Sequence, residues 1–322
     1  MKHPCWRMND LFLAMLLLYL GVSFGVSLLA ERSMQIPVMA ALVAGELILL
    51  VPCVLFLFLF HCDLGEWIPF RKVRIATVFL TVLLSFLIMP LLYFLNVVSQ
   101  LVNENVALDL FLQTEDVSPL FLFFVIALLG PFCEEVVFRG ILYHGFCRSG
   151  RIIASILWTA LLFGLFHMNL NQLGYAFLIG VASALLVEGT GSLIPSLILH
   201  VVINGYNVGQ IILVKVMQEV LGTDLSELVA EADAVDQDMM LRAAGVLLIP
   251  AVIFTALAAV VYVAILKQEG TLLRMKGIFS GTKREETQEP KMHPVTLTGI
   301  IGVLICLFMI FLLPLLTESF GG

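Results

Sequence analysis

The stretch GPFCEEVVFRGILYHG, residues 130–145, places two adjacent glutamates and an arginine inside an otherwise apolar segment. An ionisable side chain at the centre of a bilayer costs about 3 kcal/mol, so such residues face the interior of a bundle, pair with one another, or take part in function. Glu134, Glu135 and Arg139 therefore mark either a structural polar cluster between helices or a functional site.

The composition of the whole chain indicates an all-α, polytopic helical membrane protein with about eight or nine transmembrane helices. Of the 322 residues 61% are hydrophobic and only 13% are charged, and the mean hydropathy is +1.06. A soluble domain is about half apolar and about a quarter charged. The net charge of −7 lies mainly in the loops, so no nucleic-acid partner is expected.

Apolar runs of about twenty residues, each long enough to cross a bilayer, recur along the chain. The fourth run is too long for a simple crossing, and we expect it to be tilted, or broken near Gly130 and Pro131, because proline lacks a backbone donor. The nine predicted spans are residues 11–30, 37–60, 75–98, 118–147, 152–168, 173–188, 192–214, 243–266 and 295–316.

The loops alternate in charge, which predicts the orientation of the chain. Basic residues precede span one, follow span two, join spans four and five, and fill the loop 267–294, whereas the intervening loops are acidic or poor in basic residues. The positive-inside rule then places the N-terminus in the cytoplasm. The Leu- and Phe-rich composition and short loops suggest a prokaryotic plasma membrane.

Two further features concern the ends of the chain and its cysteines. The first apolar run is about twenty residues long without a clear cleavage site, which predicts an uncleaved first span rather than a signal peptide. The six cysteines are scattered without a C-x-x-C pair, which predicts free thiols. The acidic stretch 217–242 is expected to form an extramembrane helix, and 271–280 is expected on the membrane surface.

Within span four, Glu135 and Arg139 are four residues apart and meet on one face of a helix. Glu134 points about 100° away around the helix axis, free for another role. This spacing favours an internal ion pair, Glu135–Arg139, beside a separate reactive carboxylate.

Spans five and seven carry further polar side chains at helical spacing. In span five, Phe163 and His167 share one face, and in span seven His200, Asn204 and Asn207 form one polar stripe. Such a stripe faces a partner helix or a water-filled cavity, because lipid would leave its donors unsatisfied. An interfacial histidine and hydrogen bonds between helices are the alternative interpretations.

The depth of these residues in the membrane favours one buried site. At a rise of about 1.5 Å per residue, Glu134 lies roughly 20 Å and His167 roughly 22 Å from the cytosolic end of its span. By the same measure His200 lies about 12 Å and Asn204 about 18 Å from that end. Four polar residues from three helices thus fall within one slab.

A buried carboxylate beside histidines suits general-base activation of water, and a histidine with an asparagine can donate hydrogen bonds to an oxyanion. Alternatively, Glu134, His167 and His200 suit zinc with an open water position, although the helical H-E-x-x-H motif is absent. The residues by themselves leave both readings open. No G-x-S-x-G elbow is present, and no aspartate lies within a predicted span.

Three short motifs carry a resemblance to a known family: E-E-x-x-x-R at Glu134, Glu135 and Arg139, F-x-x-x-H at Phe163 and His167, and H-x-x-x-N at His200 and Asn204. Their order and separations resemble those of the CPBP family, the CAAX-prenyl endopeptidases and bacteriocin-processing intramembrane proteases, also called Abi. The resemblance covers roughly residues 118–208. It divides the chain into N-terminal helices 1–3 (1–117), a catalytic core of helices 4–7 (118–214), and an acidic segment with helices 8–9 (215–322).

The resemblance implies a glutamate-dependent intramembrane endopeptidase acting on a peptide or membrane-protein substrate, which we expect to enter from the cytosolic side. Glu134 would activate water with help from His167, and His200 and Asn204 would stabilise the oxyanion. Glu135 and Arg139, with Phe163, would organise the site. Family members are often labelled metalloproteases, but a metal-free mechanism is favoured here, with zinc as the alternative cofactor.

Two other functions fit the intramembrane charges. A proton- or ion-coupled transporter would use Glu134, Arg139 and Glu46 as a relay, and a non-catalytic immunity or scaffold protein would keep the motifs as structural contacts. Glu46, in span two, is expected either to pair with Arg139 or His144, or to hydrogen-bond a neighbour while protonated.

Overall fold

A computed structural model describes residues 4–31, 36–102, 114, 117–221, 237–281 and 293–314 of the chain. These residues form helices and connecting turns, and no strand occurs among them. The helices are α1 (Pro4–Glu31), α2 (Val38–Leu59), α3 (Leu64–Trp67), α4 (Ile75–Gln100), α5 (Pro119–Cys147), α6 (Ile152–Phe166), α7 (Leu170–Thr190), α8 (Ile194–Leu221), α9 (Gln237–Gln268), α10 (Leu272–Phe279) and α11 (Leu297–Leu312).

The all-α fold is confirmed, and a helix lies at each of the nine predicted spans. Seven of these helices are long and apolar enough to cross a membrane. The other two, α6 and α11, are apolar but shorter, and the 15 residues of α6 extend only about 22 Å, less than the hydrocarbon thickness of a bilayer. The short helices α3 and α10 connect spans.

Helix α5 runs without interruption from Pro119 to Cys147, so the expected break near Gly130 and Pro131 is wrong. The chain instead changes helix type: residues 124–129 and 136–142 are π-helical, and the turns around them are α-helical. The amide of Gly130 donates to the carbonyl of Val125, five residues back. The helix therefore continues past Pro131 in a wider turn, a feature that is frequent at functional sites.

Small residues bring α6 and α7 into close contact. A Cβ atom on Gly180 would lie 2.9 Å from the Cα atom of Ala160, and one on Gly164 would lie 2.9 Å from the carbonyl oxygen of Leu173. Close approach of backbones through small residues is the usual way for membrane helices to associate, because lipid supplies no hydrophobic drive between them. The two helices that flank His167 are thereby locked together.

The basic loops meet at one end of the bundle, as the charge alternation predicted. Arg148 forms an ion pair with Glu66 at 2.7 Å, the Ser192 hydroxyl donates to the Arg71 carbonyl at 2.6 Å, and Arg274 pairs with Glu188. We call this region, around α3 and the α7–α8 and α9–α10 turns, the basic end. Which side of a membrane it faces stays a prediction.

Several predictions concern residues that the structure does not describe, and the structure leaves others untested. Most of the acidic stretch 217–242 and the loop 283–291 lie outside the described residues. Residues 272–279 do form a helix, α10, whose place on a membrane surface stays a prediction. Among the described cysteines, Cys53, Cys62, Cys133 and Cys306 are free thiols, as expected. The division into 1–117, 118–214 and 215–322 stays a prediction.

We expect Gly180→Ala to lower the free energy of unfolding by about 1–3 kcal/mol, because the new methyl group overlaps the Ala160 backbone. Gly245→Ala is the matched control: a Cβ there meets nothing within 4 Å, so alanine gains up to about 1 kcal/mol of helix propensity. Unfolding by SDS titration in mixed micelles measures both variants. Equal stability of the two variants would contradict the close α6–α7 contact.

Candidate active site

Glu134 lies between two histidines from other helices. Its Oε1 atom is 3.8 Å from His167 Nε2, and its Oε2 atom is 3.4 Å from His200 Nε2. The Glu134 side chain keeps 17% of its surface exposed, whereas that of His200 keeps only 3%. The sequence prediction that Glu134 turns away from Glu135 and toward His167 is therefore confirmed by the geometry.

His167 follows the last residue of α6 rather than lying within the helix. The backbone changes direction at the next residue, Met168, which has a left-handed φ of 49°. The Nδ1 atom of His167 is 2.9 Å from the carbonyl oxygen of Phe163, one turn earlier. Because a carbonyl only accepts, Nδ1 carries the proton of the neutral ring, and the Nε2 lone pair faces Glu134.

His200 is oriented by Glu135. Its Nδ1 atom lies 2.9 Å from Glu135 Oε1, and the carboxylate accepts the Nδ1 proton. The Nε2 atom on the other side of the ring faces Glu134. The His200 ring thus lies between the carboxylates of Glu134 and Glu135.

The predicted pair of Glu135 and Arg139 forms within α5. Arg139 Nη1 lies 3.0 Å from Glu135 Oε1, and both residues are only 1% exposed. The contact is an ion pair without hydrogen-bond geometry, since Arg139 Nη1 and Nη2 have no hydrogen-bond partner among the described residues. The Glu135 carboxylate therefore contacts both the Arg139 guanidinium and the His200 ring.

Phe163 packs at the centre of these groups, as the second motif suggested. The Arg139 guanidinium lies over its ring, 4.2 Å from the centroid, and the rings of His167 and His200 meet it edge to face at 4.9 and 5.8 Å. A cation over an aromatic face is attracted by the ring quadrupole, by about 2 kcal/mol where water is excluded. Phe163 thereby fixes the spacing between the ion pair and both histidines.

Asn204 lies one turn beyond His200 on α8 and lines the same cavity as Glu134. Its Nδ2 group donates to the carbonyl of Ile126 at 3.1 Å. In a π-helix the carbonyl of Ile126 would accept a hydrogen bond from the backbone N–H five residues on, at position 131. Because Pro131 has no N–H, the Asn204 side chain supplies the donor instead. One N–H of the amide is thus committed to the helix and the other is available to the cavity.

The cavity has a volume of about 380 Å³ and extends beyond the predicted residues. Helices α4 and α7 contribute polar side chains that the motifs did not identify: Tyr93, Asn96, Asn171, Gln172 and Tyr175. The amide-rich run NLNQ at residues 169–172, which begins two residues after His167, was a usable signal, since amides are costly in lipid. Asn207, the third member of the predicted stripe, also lines the cavity.

The cavity opens away from the basic end. Along α8 its lining proceeds from buried His200 to exposed Asn207 and Gln210. At the other end of α8, the amide of Leu193 donates to the Pro69 carbonyl at the basic end. From His200 to Gln210 the helix rises about 15 Å, so the exposed lining lies opposite the basic end. Entry of the substrate from the cytosolic side stays a prediction.

Glu46 does not form either of the predicted ion pairs. Arg139 pairs with Glu135, and His144 lies 3.8 Å from Glu66. The Glu46 carboxyl group instead packs against α5, where its Oε1 atom lies 3.3 Å from the position of a Cβ on Gly130. Its Oε2 atom is buried without a hydrogen-bond partner among the described residues. The absence of a side chain at residue 130 makes room for this carboxyl group one turn before Glu134.

Zinc was the alternative cofactor for Glu134, His167 and His200. Among the residues that the structure describes, no three His, Cys, Asp or Glu side chains are grouped so that they could hold a metal ion. The two imidazoles direct Nε2 toward Glu134, and the independence of the reaction from zinc stays a prediction.

Comparison with known proteins relates the segment that holds these residues to proteases. Residues 116–206 match the family model described as Rce1-like, type II CAAX prenyl endopeptidase. The chain is 33% identical over 94 residues to the membrane-embedded CAAX protease MroQ of Staphylococcus aureus (strain USA300). The aligned part is 27% of this chain and 38% of that relative, well under half of each. No solved structure gives a significant match.

We expect Arg139→Met to destabilise the fold by about 3–5 kcal/mol, because it leaves the buried Glu135 carboxylate without its guanidinium. The double variant Glu135→Gln/Arg139→Met removes both charges and keeps an acceptor for His200, so most of the stability should return. SDS unfolding of the three proteins measures this. A double variant that is as unstable as the single one would contradict the charge argument.

Proposed function

Residues 116–206 make this chain a member of the CPBP family of CAAX endopeptidases and related proteases, and from that membership we propose that it is an intramembrane endopeptidase. The reaction is hydrolysis of a peptide bond by a water molecule that Glu134 activates. The observation that carries the proposal is a partly exposed carboxylate facing two imidazole Nε2 atoms at the inner end of a cavity.

Glu134 and His167 together suit the binding of one water molecule. Glu134 Oε1 and His167 Nε2 are both acceptors, 3.8 Å apart, and a water oxygen fits about 2.8 Å from each. Such a water donates one hydrogen to each acceptor and directs a lone pair toward the substrate carbonyl. Removal of one proton by Glu134 generates the nucleophile, which is ordinary general-base catalysis.

His200 and Asn204 suit the oxyanion of the tetrahedral intermediate. With both ring nitrogens protonated, His200 donates through Nε2, while Glu135 holds the ring at Nδ1. Asn204 donates its second amide hydrogen while Ile126 holds the first. Each preorganised donor of this kind contributes about 3 kcal/mol to the transition state. Glu134 then returns its proton to the departing amine.

The substrate class follows from the family and the surroundings. The relative in Staphylococcus aureus is described as a membrane-embedded CAAX protease, so a membrane-associated peptide or protein is the proposed substrate here. A pair of synthetic peptides with one CAAX sequence, with and without an S-farnesyl group on its cysteine, tests whether prenylation is required. An unprenylated peptide that is cleaved equally well would indicate a broader peptide substrate.

We expect Glu134→Gln and His167→Ala each to lower kcat by about 10²–10⁴-fold, because each removes an acceptor for the attacking water. Glu66→Gln, an exposed carboxylate at the basic end, is the matched control and should keep full activity. The assay follows cleavage of a library of N-acetylated, C-amidated peptides by the purified chain in proteoliposomes, read by mass spectrometry.

Three outcomes would contradict this proposal. Full cleavage by folded Glu134→Gln would exclude the glutamate mechanism. Absence of cleavage by the parent protein, with flux of ions or solute across the same proteoliposomes, would favour the transport alternative. The same absence with biological activity that survives Glu134→Gln would favour an immunity or scaffold role.

We expect hydrolysis to be independent of zinc, because the donors of Glu134, His167 and His200 are not grouped as a metal site. Incubation with 1,10-phenanthroline should leave kcat unchanged, and added zinc should not raise it. The control is a zinc metalloprotease treated in the same detergent. Loss of activity that zinc restores would instead assign these three residues as ligands.

A further inference from the structure

The half of the cavity beyond Asn204 has a lining that the three motifs do not account for. It is formed by α4, α7 and α8, and its polar members are uncharged: Tyr93, Asn96, Asn171, Gln172, Asn207 and Gln210. We call this part the amide half. Among the residues that the structure describes, no Lys or Arg lines the cavity, and Glu134 is its only carboxylate. Its chemistry therefore suits neutral hydrogen-bonding groups rather than a terminal carboxylate or a phosphate.

One hydroxyl group orients two of these amides. The Tyr93 hydroxyl lies 3.2 Å from Asn207 Oδ1 and 3.2 Å from Gln210 Oε1, and it can donate to either oxygen. The hydroxyl has one hydrogen and donates to one of the two amide oxygens at a time, and that amide keeps its NH₂ group for another acceptor. Asn207 and Gln210 are exposed, so these donors stand at the mouth of the cavity.

The opposite wall is held rigidly. Asn171, only 2% exposed, donates through Nδ2 to Asn96 Oδ1 at 3.0 Å and to Ser99 Oγ at 2.7 Å. This network joins the end of α4 to the start of α7, just after His167. The distance between these amides and His167 is thereby fixed. A fixed distance allows a peptide chain to bind in one register.

Apolar side chains also line the cavity. They include Met89 and Leu92 from α4 and Ile203 and Ile211 from α8. An extended peptide is bound by hydrogen bonds to its main chain and by contacts to its side chains, and the cavity offers both kinds of group. The 15 Å rise from His200 to Gln210 corresponds to about four residues of extended chain.

We propose that the amide half is a subsite that binds the main chain of an extended, uncharged peptide segment next to the scissile bond. The NH₂ groups of Asn207 and Gln210 donate to substrate carbonyls, and the apolar lining receives the intervening side chains. This inference rests on the proposed endopeptidase function and adds its substrate class: a segment of about four uncharged residues, without a free terminus at that end.

A charge-swap experiment at the mouth of the cavity tests the subsite. In the acetylated and amidated peptide library, Gln210→Met should raise KM about tenfold with kcat within about twofold, because it removes a binding donor but no catalytic group. Gln210→Glu should shift preference about tenfold toward peptides with one lysine in the four-residue window. Gln210→Lys should shift it as far toward peptides with one aspartate.

The matched control is Gln268→Glu, the same substitution at the last residue of α9, where KM and preference should not change. A merely structural role for Gln210 would lower stability or kcat without exchanging the preferred charge. Unchanged KM and unchanged preference in all three Gln210 variants would overturn the subsite. In that case, loss of activity in Glu134→Gln would still support the endopeptidase function. The experiments can therefore contradict the subsite without contradicting the proposed function.

Discussion

The buried contact of Glu135 with Arg139 and His200 is the interaction on which the rest of the site depends. A carboxylate that is 1% exposed is stable only with compensating charge, and here a guanidinium and an imidazole supply it together. The guanidinium in turn lies over Phe163, whose carbonyl and ring position His167. The need to compensate the buried charge of Glu135 therefore sets the positions of His167 and His200 relative to Glu134.

The membrane imposes a second constraint, which is that every backbone polar group needs a partner within the bundle. Pro131 removes a donor one turn before Glu134, and a π-helical turn and a side-chain amide from α8 compensate for it. Asn204 therefore has a structural role and a proposed chemical role at once. The same hydrogen bond fixes α8 against α5, so His200 and Asn204 keep their positions relative to Glu134.

The cavity also depends on a helix outside the segment that matches the protease family. Residues 116–206 contain Glu134, His167, His200 and Asn204, but α4 supplies Tyr93 and Asn96 to the opposite wall. Helix α9 packs most extensively against α4 and holds it in place. The proposed catalytic residues thus belong to the matched segment, whereas the cavity is completed by helices on either side of it in the sequence.

The sequence by itself determined the helical membrane fold, the positions of nine helices and the separate directions of Glu134 and Glu135, because hydropathy and helical periodicity are local properties. Only the tertiary structure decided that α5 is continuous, that Glu46 has no ion-pair partner among the described residues, and that the cavity opens away from the basic end. These features depend on contacts between residues far apart in the chain, such as Asn204 with Ile126 and Asn171 with Asn96. The periodicity of one helix cannot specify which neighbour its polar face will meet.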